Sequence, residues 1–392
     1  MNSFTYCVPT KVIFGAGQVS RVGQAVKECG GTRVLLVYGG GSAARNGTLD
    51  KVRDALEDEG LSVYVEGGVQ PNPRLAFAQS LVDRYEKRNI DFLLAVGGGS
   101  VLDTCKAVAM GLYGGSPVWD YFEGKRPVTG EVPMGSVLTI AAAGSETSDS
   151  AVLTNEEIGV KRGCNTPHNR PRFAILDPEL TVSLGAYQTA CGVTDIMMHT
   201  LERYFSSDGS VNEMTDAIAE GLLRVVMENG IVAVNEPDNL KARSEVMWCG
   251  SLSHNDLTGL GRPKDFSVHQ LGHQLSAKFD LAHGASLSAM WPHWAQYVCR
   301  NDLPRFARLG REVLGIKCDD DEQCCLLTIR GLMDFWQAIG MPISLGQCVG
   351  VQTEQELETL ADMCSYNSAR TIGSFVKLDR EDMLAIYTAA NR

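Results

Sequence analysis

Residues 91–110 read DFLLAVGGGSVLDTCKAVAM, an unbroken apolar run, a glycine turn and a helical pattern in succession. The run DFLLAV lacks the alternation of a strand with one wet side, which predicts a strand buried on both faces. Gly97, Gly98 and Gly99 break it, and helical periodicity resumes from about Val101 to Met110. A doubly buried strand passing through a tight turn into a helix is the start of a βαβ unit.

The same texture extends to either side. RVLLVY (33–38) runs into a second glycine turn, and LSVYVE (61–66), SVLTI (136–140) and RFAIL (172–176) read as further apolar strands. Helical patterns lie between them, from Leu49 to Glu57 and from the turn Gln70-Pro71-Asn72-Pro73 to about Tyr85. Strands separated by helices of this length imply right-handed crossovers and a mostly parallel sheet. After Asp177-Pro178 the strand patterns largely stop. The stretches 187–206, 211–229, 238–252, 302–315, 323–338, 353–365 and 379–390 all read as amphipathic or buried helices. The expected architecture is an α/β domain over residues 1–178 followed by an all-α domain over 179–392, with no internal repeat or low-complexity linker.

Composition narrows the function. With 392 residues the chain can bury two cores, and its net charge of −12 opposes a dedicated nucleic-acid binder, which needs a basic field. No apolar run approaches bilayer-spanning length, and the start MNSFTYCVPTKVIFG has no basic region followed by an apolar one. The twelve cysteines are scattered, with only Cys324 and Cys325 adjacent, the usage of reduced thiols in a cytoplasmic protein.

Two turns of the form GGGS follow buried strands: Gly39-Gly40-Gly41-Ser42 and Gly97-Gly98-Gly99-Ser100. Beyond the carboxyl ends of parallel strands, glycines let the backbone approach a phosphate, and a helix N-terminus offers free N–H groups and a positive dipole end. Asp103 and Lys106, on the first turns of the second helix, could orient a dinucleotide. Neither turn matches the G-x-G-x-x-G or P-loop pattern. The stretch Thr139 to Thr147, rich in small residues, suits the wall of a nicotinamide pocket, with Thr139 at its start and hydroxyls from Ser145 and Thr147. Asn72 and Lys161 are the remaining candidate cofactor-binding residues. At the first turn Gly39 stands where an acidic residue would bind the ribose 2′-hydroxyl, and Ser42 and Arg45 follow, which favours NADP(H) over NAD(H).

Two further stretches supply metal-ligand chemistry: GVTDIMMHTLERYF (192–205) and DFSVHQLGHQLSAKFDLAHG (265–284). Asp195 and His199 are four apart in a helical pattern and so leave one face; His269 and His273 repeat the spacing, and His283 follows a loop. Asp195, His199, His269 and His283 can close on one divalent ion while leaving a position open, the arrangement of a catalytic metal. A fifth strong ligand would fill that position, so His273 is assigned proton transfer instead. His168, His254 and His293 read as structural or pocket-lining. No H-E-x-x-H motif occurs.

These residues resemble the iron-containing (group III) alcohol dehydrogenases, in the branch of butanol dehydrogenases and NADPH-dependent aldehyde reductases. The matching pieces are Phe14-Gly15-Ala16-Gly17, Pro71-Asn72-Pro73, GGGSVLDTCK (97–106), AGSE (143–146), Leu176-Asp177-Pro178, Asp195-x3-His199, His269-x3-His273-x9-His283-Gly284 and Gly340-Met341-Pro342, in family order across nearly the whole chain. The resemblance implies a dinucleotide-binding α/β domain, an all-helical metal-binding domain, and cofactor and metal in the cleft between them. It implies Asp195, His199, His269 and His283 as ligands of Fe2+ or Zn2+, His273 as the extra active-site histidine, and a homodimer.

The reaction so implied is hydride transfer between NADP(H) and a short- to medium-chain primary alcohol or aldehyde. NAD-dependent diol or glycerol oxidation is the alternative within the class. A lyase similar to dehydroquinate synthase would need a cluster of cations for an anionic substrate, and residues 255–285 offer only Arg262, Lys264 and Lys278. A metal-binding scaffold without catalysis leaves the paired glycine turns unexplained.

Overall fold

Six parallel strands alternate their side chains between two apolar layers. They are β1 (Lys11–Phe14), β2 (Arg33–Gly39), β3 (Ser62–Val69), β4 (Phe92–Gly97), β5 (Met134–Leu138) and β8 (Phe173–Leu176). The computed structural model describes residues 1–206 and 212–392, and orders this sheet β1-β8-β5-β4-β2-β3. Leu35, Val37, Leu93 and Ala95 pack on one face against the helices Leu75–Tyr85 and Gly99–Gly114. Val34, Leu36, Leu94 and Val96 pack on the other with Val22, Val26, Val52 and Leu56. Burial on both faces is why these strands carry no polar alternation.

The chain forms two compact units. One contains Cys7–Leu184 with Pro237–Ser251, and so holds the sheet; the other contains Met1–Tyr6, Gly185–Glu236 and Leu252–Arg392. In the first unit β5, β4 and β2 are consecutive, so the turns after them, beginning at Thr139, Gly97 and Gly39, emerge side by side. The predicted strand at 136–140 is shifted to Met134–Leu138, leaving Thr139 and Ile140 free to turn. Two strand features escaped the sequence reading. β1 is only four residues long, and β6 (Ser150–Asn155) pairs with β7 (Val160–Asn165) in an antiparallel hairpin too polar to read as buried strands.

The second unit is helical among the described residues. Ala186–Tyr204 is buried continuously from Gly192 to Tyr204, so it is a central rather than a surface helix. The expected helix at 211–229 runs from Glu213 to Asn235, with residue 211 outside the described residues. Ser267–Phe279 carries His269 and His273 as expected. His283 follows a loop as expected, and it is the first residue of His283–Val298, a helix buried from Gly284 to Ala295 and too uniformly apolar to show a period. A Cβ on Gly284 would lie 2.3 Å from the Cys191 carbonyl oxygen, so glycine is what lets this helix start against Ala186–Tyr204.

Candidate metal centre and cofactor-binding turns

The ligand helix brings Asp195 and His199 to one face, and the other two helices aim imidazoles at the same carboxylate. Asp195 Oδ1 lies 3.4 Å from Nε2 of His199, 3.6 Å from Nε2 of His269 and 3.7 Å from Nε2 of His283. The donor atoms of Asp195, His199 and His269 all fall within 4.8 Å of one another, close enough to hold one ion. These three residues are at most 4% exposed, whereas the His283 side chain retains 27%, giving the cluster one solvent-facing side. Nε2 of His269 is buried with no hydrogen-bond partner among the described residues. A buried lone pair without a proton donor, beside a carboxylate and two imidazoles, fits a divalent cation.

Electrostatics act oppositely on two of the imidazoles. Burial, reinforced by His254, His269 and Arg203, holds the His199 imidazole well below its ordinary range, so the ring is neutral and has a lone pair to give. Burial opposes a charge on His269 as well, but Glu202 and Asp195 outweigh it and raise that ring to about 9. A bound cation would displace this proton, since metal and proton compete for the same nitrogen.

The other histidines sort by distance. His273 is buried, with its ring centre 5.5 Å from that of His283 and 6.2 Å from that of His269, beside the tight set. The partly exposed His254 lies tilted against His199, ring centres 3.8 Å apart, which makes it a neighbour of the cluster. His293 donates from Nε2 to the Ile343 carbonyl at 3.1 Å, and His168 pairs with Glu131.

In the first unit the second glycine turn opens the helix Gly99–Gly114, which has no side-chain cap among the described residues. Gly98, Gly99 and Ser100 remain partly exposed, so backbone N–H groups of the first turn are available to an anion. A Cβ on Gly98 would meet Ile140 at 3.1 Å. In the first turn Gly41 has a φ of 101°, and its Cβ position lies 3.2 Å from Nη1 of Arg45, so a cation stands beside Gly41. Asn72 accepts from Lys161 Nζ at 3.0 Å, joining the Pro71-Asn72-Pro73 turn to β7.

Four polar side chains expected to face the cofactor are engaged internally. Lys106 is wholly buried and donates to the carbonyls of Ser145 at 2.7 Å and Ser150 at 2.6 Å. Ser145 donates to Asp103 Oδ1 at 2.7 Å, and Asp103 also accepts the Val152 N–H at 3.1 Å. Thr147 donates to the Ser251 carbonyl at 2.8 Å. The hydroxyl protons of Ser145 and Thr147 are thus committed, and Lys106 and Asp103 clamp the 143–152 segment onto the helix rather than reaching outward.

Comparison with known proteins agrees with this geometry. The model of the iron-containing alcohol dehydrogenases matches residues 9–178, and that of the C-terminal part of the Fe-containing alcohol dehydrogenase family matches 189–391. The chain belongs to the iron-containing alcohol dehydrogenase family. This dehydrogenase is therefore an oxidoreductase whose family uses a nicotinamide cofactor and a metal ion. It is 37% identical over 390 residues to NADH-dependent butanol dehydrogenase A of Clostridium acetobutylicum, covering 99% of each. It is 35% identical over 350 residues to the NADPH-dependent aldehyde reductase YqhD of Escherichia coli, covering 88% of this chain and 89% of the other. The crystal structure of an NADH-dependent butanol dehydrogenase A from Thermotoga maritima superposes with a TM-score of 0.96 at 34% identity, covering 100% of this chain and 99% of that one.

Sequence reasoning about the dehydrogenase missed the residues around the ligands. Glu202 accepts from Nδ1 of His269, and Arg203 donates to the His199 carbonyl at 2.8 Å with its guanidinium over the Phe266 ring at 4.9 Å. The available signal was position: Glu202 and Arg203 fall three and four residues after His199, within a helix otherwise apolar enough to be buried.

Proposed function

We propose that the protein transfers a hydride reversibly between NADP(H) and short- to medium-chain primary alcohols or aldehydes, with one Fe2+ or Zn2+ held by Asp195, His199, His269 and His283. The carrying observation is the meeting of three Nε2 atoms at one Asp195 oxygen, 3.4 to 3.7 Å away. When bound there, a divalent cation supplies Lewis-acid polarisation of the substrate oxygen. Residues 179–392 accordingly form the metal-binding part and residues 1–178 the dinucleotide-binding part. Gly97, Gly98, Gly99 and Ser100 bind the pyrophosphate at the helix N-terminus. Thr139, Ser145 and Thr147 wall the nicotinamide as small side chains, with Asp103 bracing them. Asn72 and Lys161 fix the turn beside it. His273 takes the hydroxyl proton in alcohol oxidation and returns it in aldehyde reduction.

Preference for NADP(H) rests on the first turn: Gly39, Gly40, Gly41 and Ser42 carry no acid, and Arg45 Nη1 stands beside Gly41. A second reading, NAD(H), draws support from the names of the butanol dehydrogenases at 35–37% identity. The deciding experiment measures reduction of butanal with NADPH and with NADH, before and after chelation, with Fe2+ or Zn2+ restored. We expect activity to disappear on chelation and to return with metal, with a kcat/KM at least tenfold higher for NADPH. A ratio favouring NADH would overturn the cofactor preference and leave the metal centre standing. A homodimer in the cytoplasm completes the reading; β1 is an edge strand, Phe14 and Trp248 are exposed on it and beside it, and sedimentation velocity tests the dimer.

A further inference from the structure

Glu202 lies one turn beyond His199 and is wholly buried. A buried carboxylate is costly unless its oxygens are hydrogen-bonded. Here its hydrogen-bond donors, Val268 and His269, come from one helix start. Oε1 accepts the backbone N–H of Val268 at 2.6 Å and of His269 at 3.2 Å, while Oε2 accepts from Nδ1 of His269. Those two amides are in the first turn of Ser267–Phe279, where N–H groups have no intrahelical acceptor. The Glu202 carbonyl also accepts the Asp265 N–H at 2.9 Å, and the Asp265 carboxylate accepts the Ser267 N–H at 3.1 Å. One residue therefore joins two helices and holds an imidazole by its far nitrogen.

We propose that Glu202 is a positioning residue of the metal centre: its carboxylate fixes the Nδ1–H tautomer and the ring plane of His269, aiming the Nε2 lone pair at the space beside Asp195 Oδ1. The inference rests on the reading of Asp195, His199, His269 and His283 as metal ligands. A carboxylate opposite Nδ1 draws the ring's proton there and leaves Nε2 to ligate. A carboxamide cannot substitute. With its oxygen towards Nδ1, its NH2 group meets two backbone N–H donors. With its NH2 towards Nδ1, the ring adopts the other tautomer and points a proton at the metal position.

The test is competition for Co2+ between a chromogenic chelator and either the parent protein or Glu202→Gln, with thermal unfolding recorded before metal is added. The expected result is a loss of affinity of about 10- to 100-fold and an altered visible Co2+ spectrum. Equal affinity with an unchanged spectrum would overturn the positioning role alone. A parent protein that takes up no Co2+ would overturn the metal reading too, so the two failures are distinguishable. If Glu202→Gln does not fold, the unaltered Zn2+-loaded protein answers by 15N-histidine NMR. A downfield, slowly exchanging Nδ1 proton on His269 is expected, and one exchanging freely with solvent overturns the proposal.

Discussion

The ring of His273 sits 5.5 Å from that of His283, one helical turn after His269 and buried to 8% exposure. Its ring centre also lies 6.2 Å from that of His269, which places it beside the proposed ligands, where it can exchange a proton. His273→Gln keeps the volume and removes the proton acceptor of useful pKa. We expect turnover to fall about 100-fold, in the range of general acid–base contributions, with metal content by atomic absorption unchanged. Loss of the ion from His273→Gln would make it a ligand instead. The spacing of these histidines was legible in the sequence because a helix repeats every 3.6 residues, whatever surrounds it. The contact between Glu202 and His269 was not, because their 67-residue separation is closed only by packing.

At the scale of elements, two helix ends bear on the proposed chemistry. The Gly99–Gly114 helix starts against Ile140, with little room for a side chain at Gly98 and with its first amides accessible. Gly98→Ala would push Ile140 aside and set a methyl group where the backbone must approach a phosphate. We expect the KM for the nicotinamide cofactor to rise by roughly tenfold or more, about 1.4 kcal/mol, while Co2+ affinity is unaffected. A parallel loss of metal would point to misfolding rather than to a blocked cofactor. The ligand helix Ala186–Tyr204 is held from its other end. Arg262 and Arg305 donate to the Tyr204 carbonyl at 3.2 and 2.7 Å, and both pair with the buried Asp216 at 2.6 Å. Cations at a helix C-terminus complement its dipole, and their shared carboxylate offsets the cost of burying them.

Across the whole molecule the thiols form an alkaline limit on stability. All twelve cysteines are free, and burial pushes Cys249 up to about 12 and Cys364 up to about 11, with Cys105 higher still, from an ordinary 9.0. These groups stay neutral in the fold but ionise in the unfolded chain, so their contribution is complete below pH 9 and is lost as pH rises towards 11 or 12. Each such thiol removes about 1.4 kcal/mol per pH unit in that window. Lys106, lowered by burial to about 8, has the opposite slope above pH 8, but it is one group against several. Urea unfolding midpoints should therefore fall between pH 9 and pH 11, and a flat profile would contradict the burial of these sulfurs. No helix among the described residues is long and apolar enough to cross a membrane.

The doubly buried strands, the two glycine turns and the ligand helix were determined by the sequence itself, since local periodicity and turn chemistry act over a few residues. The edge strand β1 was hidden because it is short and pairs with a strand remote in sequence, and the β6–β7 hairpin because it is polar. His283–Val298 was hidden for the opposite reason: apolar on every side, it has no period to read. Sequence spacing named Asp195, His199, His269 and His283 as a set. Only the tertiary structure decided that Lys106, Ser145 and Thr147 turn inward and that Glu202 stands behind His269, because a buried polar group takes whichever partner the folded chain brings within reach.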